Sequence, residues 1–340
     1  MVPAEIKANP ALAAAARNLM LDAAAVECIS ALRAEGIRAI LLKGPVTARW
    51  LYSDGGIRDY TDVDLLVARA ELGRTLQILK GLGYRDTQAD RSPNETATHA
   101  RALALDPSPE LEGAARFPQG LLVDLHWTFH GIGASDAEFW GVVAGGAARM
   151  QIAGTDVEIP SEPTRTLLLA LHAATEGPAV PRALADVDRG LVRLADETWA
   201  EAYELARRLD ALPRFIAGLR MRPLGQELMD RVHLEGDVDA LSAMRAAGVP
   251  PVAGGLERLR RTPGLGPRLR LLGRELVPTP SFMRTWSPLA RRGPVGLALA
   301  YAYRPVALAV ELPAALRAHG RARRAVRAGA PPVGDQSRDR

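Results

Sequence analysis

The sequence predicts an α+β protein in which a β-sheet domain flanked by helices is followed by a mostly helical domain. Helix-like and strand-like segments alternate through the first part of the chain, as expected when helices pack on a sheet. After about Pro160, apolar residues recur at helical spacing instead. The 340 residues are 48% hydrophobic and 24% charged, which is ordinary for a soluble protein long enough for two domains.

The first part of the chain alternates between helices and strands. Residues 10–35 are rich in alanine, with apolar residues at helical spacing, and Gly36 ends this helix. Pro45 suits the first turn of the next helix. The predicted order is helix 10–35, strand 37–42, helix 45–52, a turn-rich loop over 53–61, strand 62–67, helix 69–84 and strands near 98–105 and 120–129.

Changes in composition give the domain boundaries. Ser161 is a suitable N-cap for the first helix of the second part. From Gly248 on, proline and glycine separate short, arginine-rich helices. The predicted divisions are an N-terminal helix packing on the sheet domain over 1–36, the sheet domain over 37–160, a helical domain over 161–247, an arginine-rich helical region over 248–325 and a disordered tail over 326–340.

Several features favour a cytoplasmic protein. The single cysteine, Cys28, excludes an internal disulfide framework. The N-terminus lacks the basic start and apolar stretch of a signal peptide. We also expect no transmembrane segment, because no uninterrupted apolar run reaches the ~20 residues that span a bilayer.

The net charge of +4 conceals an acidic body and a basic C-terminus. Residues 261–340 carry fifteen arginines against four acidic residues. Such an end can contact nucleic acid, anionic lipid or an acidic protein face, or it can simply be solvated. Within it, the apolar segment 294–313 is interrupted by Arg304, and we expect it to pack on the helical domain rather than to cross a bilayer. The alternative is an interfacial anchor beside the arginines, and thus a peripheral membrane contact.

Two aspartates stand in a strand, where aspartate is disfavoured. Side chains two positions apart in a strand share a face, so Asp62 and Asp64 project together. Their mutual repulsion favours a divalent cation, and Mg²⁺ is typically held by one or two carboxylates with substrate phosphates. The alternative is a pair of edge-strand aspartates that cap nearby turns.

A third carboxylate, Asp124, lies in the strand-like run "LLVDLHW". If this strand pairs with the strand of Asp62 and Asp64, the three acids lie close together. Such a group could bind two metal ions that stabilise the attacking and leaving oxygens of a phosphoryl transfer. Asp124 would also help to deprotonate an acceptor hydroxyl. His126 shares its face and would orient this acid or contact substrate; the alternative is a hydrogen-bonded strand histidine.

The Lys43-Gly44 pair is a candidate phosphate-binding turn. Glycine permits close backbone approach, and the following helix offers free N–H groups. Lys43, one of only three lysines, would add a point charge. Arg58 would donate two parallel hydrogen bonds from its planar guanidinium to a phosphate. A plain turn is the alternative for Lys43-Gly44.

These motifs together resemble the uncharacterised nucleotidyltransferase family of the DNA polymerase β-like superfamily. The likeness lies in "LLKG", "LYSDGGIRDYTDVDLLV", "VDLHW" and "TLLLALHAATEG". It implies a mixed-sheet nucleotidyltransferase fold, in which Asp62 and Asp64 are the metal-binding pair, Asp124 is the third acid and Gly44 belongs to the phosphate turn. Pro45 stands where the wider superfamily favours serine, and Lys43 would compensate.

The resemblance implies an enzyme that uses Mg²⁺ or Mn²⁺. It would transfer a nucleotidyl group from an NTP, such as ATP, to a hydroxyl on a small molecule, peptide or protein and release pyrophosphate. Lys43, Gly44, Arg58 and His126 would contact the donor nucleotide, and the helical domain would hold the acceptor. The alternatives are a non-catalytic nucleotide-binding or antitoxin-type protein, a transferase that uses a nucleotide-sugar, and, less favoured, one that acts on nucleic acid.

Overall fold

The computed structural model describes residues 9–87, 99–105, 121–238 and 262–327, together with residues 243, 255, 259 and 260. It confirms the α+β class, with a five-stranded mixed sheet, a two-stranded sheet and many helices. Except for its first two positions, the tail expected over 326–340 lies outside the described residues.

The strands and helices are numbered in chain order. The strands are β1 Ala39–Leu41, β2 Asp62–Val67, β3 Arg85–Asp86, β4 Ala100–Leu105, β5 Leu121–His126, β6 Ala148–Ile152 and β7 Thr155–Ile159. The helices are α1 Pro10–Ala34, α2 Pro45–Leu51, α3 Leu72–Gly81, α4 Asp136–Gly145, α5 Glu162–Glu176, α6 Pro181–Arg193, α7 Asp196–Arg208, α8 Leu212–Arg220, α9 Pro223–Arg231, α10 Leu265–Leu276, α11 Pro280–Trp286 and α12 Gly293–Arg327.

The main sheet has the strand order β1-β2-β5-β4-β3. β2 and β5 pair in parallel, and the remaining pairs are antiparallel. β5 therefore lies at the centre of the sheet, between β2 and β4. Its near-continuous apolar run suits a strand with neighbours on both sides.

Helix α1 packs against this sheet and closes the core beneath it. The Asn9 side chain caps the helix by accepting a hydrogen bond from the Ala11 N–H at 3.0 Å. Leu21 and Leu32 of the helix are fully buried among side chains of the strands. Each such leucine contributes about 1.5–3 kcal/mol relative to an exposed one.

Helix α4 and the β6–β7 hairpin were not predicted from the sequence pattern. The α4 sequence carries the signal, because Ser135 accepts a hydrogen bond from the Glu138 N–H at 3.2 Å, as in a capping box. The hairpin turns at Ala153 and Gly154, whose φ angles are +45° and +76°. A turn of this kind usually carries Asn-Gly or Asp-Gly, so alanine in its first position concealed it.

Two compact units divide the chain, and two of the boundaries between them pass through helices α5 and α6. One unit contains Met1–Ala89, Thr96–Leu169 and Arg189–Ala211, and so both sheets. The other contains Asp90–Glu95, Ala170–Asp188 and Leu212–Arg340. In the second unit, the Arg222 guanidinium donates two hydrogen bonds of 2.6 Å to the Asp188 carboxylate.

The C-terminal region differs from the expected series of short helices. Helix α12 runs for 35 residues with Pro305 and Pro313 inside it. Each proline removes one backbone hydrogen bond, yet the helix continues, so proline did not mark its end. Among the described residues, Gly293–Arg321 is the one stretch of helix whose length and composition suffice to cross a membrane.

Candidate active site

Asp64 and Asp124 are brought together by the parallel pairing of β2 and β5. Their Cα atoms are direct partners in the register, so both side chains leave the same face of the sheet. Asp64 is buried, with 1% of its surface exposed, and Asp124 is half-buried. Two carboxylates so placed need compensation by positive charge.

Lys43 supplies one compensating charge. It lies just beyond β1, where the Leu42 N–H donates to the Asp64 carbonyl at 2.9 Å and so extends the β1–β2 pairing. The Lys43 Nζ atom is 2.9 Å from Asp64 Oδ1. The sequence predicted Lys43 as a phosphate ligand, but it gave no sign of this ion pair.

His126 supplies a second contact to the same oxygen. It is the last residue of β5, it is buried, and its Nε2 atom lies 3.0 Å from Asp64 Oδ1. A neutral imidazole that donates from Nε2 leaves Nδ1 as an acceptor. This Nδ1 is buried and has no hydrogen-bond partner among the described residues.

The two aspartates have opposite shifts in pKa. Burial alone would raise the pKa of Asp64, but the Lys43 ammonium and the hydrogen bond from His126 hold it well below its ordinary value. Burial and the nearby charge of Asp64 raise the pKa of Asp124 to about 6. Burial opposes the charge on Lys43, yet the carboxylates of Asp64 and Asp62 raise its pKa above the ordinary range. In the metal-free protein Asp64 is thus the more acidic of the two carboxyls, and Asp124 is the one whose pKa lies nearer to neutral pH.

The cluster fits a divalent cation. Ligand atoms of Asp64, Asp124 and His126 all lie within 4.8 Å of one another, and no other such group occurs among the described residues. Lys43 and His126 both contact Asp64 Oδ1. Asp64 Oδ2 is buried and has no hydrogen-bond partner in the described part of the chain. A buried carboxylate oxygen of this kind is a ready ligand for a cation.

Asp62 lies at the edge of this arrangement. It is the first residue of β2 and is half-buried. Its charge contributes to the raised pKa of both Lys43 and Asp124, so it is electrostatically part of the site. The tight group of possible ligands contains His126 in its place, and its role as a metal ligand stays a prediction.

Gly44 and Arg58 shape the turn beside the acids. Gly44 has φ +65°, and a Cβ atom there would meet the Asp62 carbonyl oxygen at 3.3 Å. Glycine is therefore required both for the backbone conformation and for the close approach. Arg58 is buried, with Nη1 3.5 Å from the Gly44 carbonyl oxygen, which places the guanidinium against the turn.

Polar residues of α1 hold the loop that leads to β2, and sequence reasoning missed them. The Arg17 guanidinium pairs with the Asp59 carboxylate at 2.6 Å, and Asn18 Nδ2 donates to the Arg58 carbonyl at 2.9 Å. The Tyr60 hydroxyl donates to Asp22 Oδ1 at 2.6 Å. The available signal was the presence of Asn18 and Asp22 on one side of an otherwise apolar helix.

His99 lies beside His126, and His130 lies beside His99. The ring of His99 is 5.8 Å from the ring of His126 and 3.4 Å from that of His130. The Trp127 N–H donates to the His99 carbonyl at 3.1 Å, which fixes the chain after β5. His99 precedes β4, so only the sheet order could have placed it here.

The chain is similar to one protein family and to several solved structures. A family described as uncharacterised nucleotidyltransferase matches residues 4–224. No curated protein matches the chain. One similar solved structure is the antibiotic-resistance factor ANT(2'')-Ia, at 16% identity and a TM-score of 0.38 over 56% of this chain and 93% of that one. Another is an antigenic nucleotidyltransferase-like protein from Paracoccidioides brasiliensis, at 16% identity and a TM-score of 0.33 over 58% of this chain and 90% of that one.

Proposed function

The chain belongs to the uncharacterised nucleotidyltransferase family, and we propose that it transfers a nucleotidyl group from an NTP to a hydroxyl-bearing acceptor and releases pyrophosphate. The observation that carries the proposal is the pairing of Asp64 with Asp124 in one register, with a buried carboxylate oxygen left without a partner among the described residues. The acceptor is a small molecule, a peptide or a protein, and the reaction takes place in the cytoplasm.

Asp64 and Asp124 would hold a divalent cation, Mg²⁺ or Mn²⁺, with Asp62 completing the carboxylate set. When bound, the cation supplies charge neutralisation for the phosphoryl oxygens. His126 can either donate Nε2–H to Asp64 or offer Nε2 to a cation, but not both at once. Its hydrogen bond therefore orients Asp64 until the site is loaded.

The donor triphosphate would lie over the turn at Gly44. Glycine at this position allows the close backbone approach that a phosphate-binding turn needs. Lys43 supplies a permanent positive charge at this point, since its pKa is raised. Buried Arg58 supports the turn through the Gly44 carbonyl and contributes to the positive potential that favours an anionic donor.

Asp124 would accept the proton of the acceptor hydroxyl. In the metal-free protein its pKa is raised to about 6, which makes Asp124 the more basic of the two paired carboxylates, as a general base should be. Asp64 is unsuited to this role because its pKa is lowered and its Oδ1 atom is already engaged.

The decisive experiment supplies each NTP, labelled in the α-phosphate, together with Mg²⁺ or Mn²⁺ and a cell extract as the source of acceptor. Transfer of label to any acceptor supports the proposal. NTP binding without transfer of label under all these conditions would instead favour a non-catalytic nucleotide-binding protein. Transfer from a labelled nucleotide-sugar, but not from any NTP, would identify a different donor class.

A further inference from the structure

The outer face of α12 is apolar over five helical turns, although little of it is covered by the rest of the protein. Val295 and Val310 are 73% and 74% exposed. Three residues that lie between them on the helix are each more than half exposed: Leu299, Tyr303 and Val306. Every exposed residue from Gly293 to Val310 is uncharged. Such a continuous apolar surface on a folded protein usually marks an interaction site.

The one charged residue in this stretch points away from that surface. Arg304 is 4% exposed, and its guanidinium lies 4.9 Å from the ring centre of Phe282 and 5.0 Å from that of Trp286. Its charge is therefore directed towards aromatic rings on the inner face of the helix. In the sequence Arg304 argues against a bilayer span, and in the structure its burial leaves the outer face without a charged side chain.

Helix α10 has a second exposed apolar stripe. Leu265, Leu269, Leu272 and Leu276 recur at intervals of four and three residues, and all four are exposed. This spacing places them on one side of the helix. Arg268 and Arg270, also exposed, lie on the same helix, which makes α10 a basic amphipathic helix.

The charge of this region is strongly positive. Residues 262–327 contain twelve arginines but only two acidic residues, Glu275 and Glu311. Exposed arginines flank the apolar part of α12 on both sides: Arg291 and Arg292 precede it, and Arg317, Arg321 and Arg324 follow it.

We propose that α10 and α12 bind the surface of a membrane that contains anionic phospholipids. The apolar faces would lie at the boundary of headgroups and acyl chains, and the flanking arginines would contact phosphate groups. Nucleic acid would satisfy the arginines but would leave the apolar faces exposed to water. Phe282, Trp286 and the residues near them cover the inner face of α12 along its first turns. The apolar outer face remains open to lipid there, so we expect the helix to lie in the membrane plane.

Flotation of the full-length protein with vesicles tests this proposal. We expect the protein to float with vesicles of equimolar phosphatidylcholine and phosphatidylglycerol and to stay behind with phosphatidylcholine alone, with binding that weakens as salt is added. Replacing Leu299, Val306 and Val310 by serine should weaken binding by at least about tenfold. The matched control replaces Leu12, Leu19 and Val192, exposed apolar residues elsewhere, by serine and should bind like the wild type.

The arginines are tested separately. The double change Arg317→Gln and Arg321→Gln should weaken binding to the anionic vesicles by about fivefold for each arginine removed. The same change at Arg149 on β6 and Arg207 on α7 should have no effect. Both are exposed, and each forms an ion pair with a nearby carboxylate. Because all of these side chains are exposed, the variants should remain folded, which thermal unfolding verifies.

Three results would overturn the proposal. Absence of flotation with anionic vesicles would exclude a membrane surface. Retention of the protein on vesicles after an alkaline carbonate wash would indicate a spanning helix rather than one in the membrane plane. A serine variant that floats normally but changes from dimer to monomer would show that the outer face of α12 binds a second copy of the chain.

Discussion

Asp64 and Asp124 are register partners on two parallel strands, yet their environments make them chemically unequal. Lys43 and His126 both contact one oxygen of Asp64. Asp124 receives less compensation, so burial and the charge of its neighbour raise its pKa to about 6. A symmetric pair of residues thus gives one carboxyl of lowered pKa and one of raised pKa.

Replacing Asp64 by asparagine should reduce nucleotidyl transfer to the level of the reaction without enzyme. Asparagine has nearly the same shape but cannot supply the anionic oxygen that a divalent cation prefers. Transfer of α-labelled nucleotide measures the effect. Asp156→Asn, on strand β7 of the same unit, serves as the control and should retain full activity. Wild-type turnover in the Asp64 variant would show that nucleotidyl transfer does not depend on this carboxylate.

Replacing Lys43 by methionine should tighten binding of Mn²⁺ by about tenfold or more, because the variant removes a cation that competes for the carboxylates. Transfer should fall at the same time, since the positive charge beside the phosphate turn is lost. Mn²⁺ binding is measured by electron paramagnetic resonance. Lys80→Met changes the net charge equally at an exposed position and should leave the affinity unaltered. Equal or weaker Mn²⁺ binding in the Lys43 variant would contradict the assignment of the cation to this cluster.

Asp124 should make the metal-free protein less stable as pH rises from about 4 to about 6. Folding raises the pKa of Asp124 from 3.8 to about 6, so the folded state binds more protons than the unfolded state between these values. The free energy of unfolding therefore falls across this window, by about 2–3 kcal/mol at most. The variant Asp124→Asn should lack this contribution and should exceed the wild type in stability near neutral pH. Urea unfolding in the presence of a chelator, compared at about pH 4 and about pH 7, tests the difference. A variant less stable than the wild type at about pH 7 would refute it.

Replacing Gly44 by alanine should reduce both stability and transfer. The positive φ disfavours alanine by about 1–3 kcal/mol, and the added Cβ atom would press on the Asp62 carbonyl. Gly36 has a comparable φ of +72°, but a Cβ atom there would meet nothing within 4 Å. Gly36→Ala should therefore lose stability while keeping its activity, as judged by thermal unfolding and the transfer assay. Equal activity in the two alanine variants would show that the Gly44 turn does not position the donor.

The sequence was sufficient to predict the strands that carry the acids. β2 and β5 read as nearly continuous apolar runs, which is typical of strands with neighbours on both sides. The period of two in a strand placed His126 on the face of Asp124, and the structure brings both within 4.8 Å of Asp64. The α+β class and family were likewise available from local patterns.

The contacts between distant segments were not predictable in the same way. The ion pair of Lys43 with Asp64 depends on the antiparallel register of β1 with β2, in which Leu41 faces Leu65. Nothing local to Lys43 specifies that register. The length of α12 was underestimated for another reason, because its two prolines indicate a break that packing at residues such as Ala300 and Ala315 overrides.

The central position of β5 has a consequence for the order of folding. β1 and β2 are close along the chain. A long segment separates β5 from β2 in the sequence, although β5 lies between β2 and β4 in the sheet. Chain entropy makes such non-local pairing slow, so we expect it to follow docking of α1 on β1 and β2. The like charges of Asp64 and Asp124 meet only in that late step. Their repulsion opposes the pairing of β5 with β2, so we expect a nascent chain to complete its sheet faster when a cation is present to offset it.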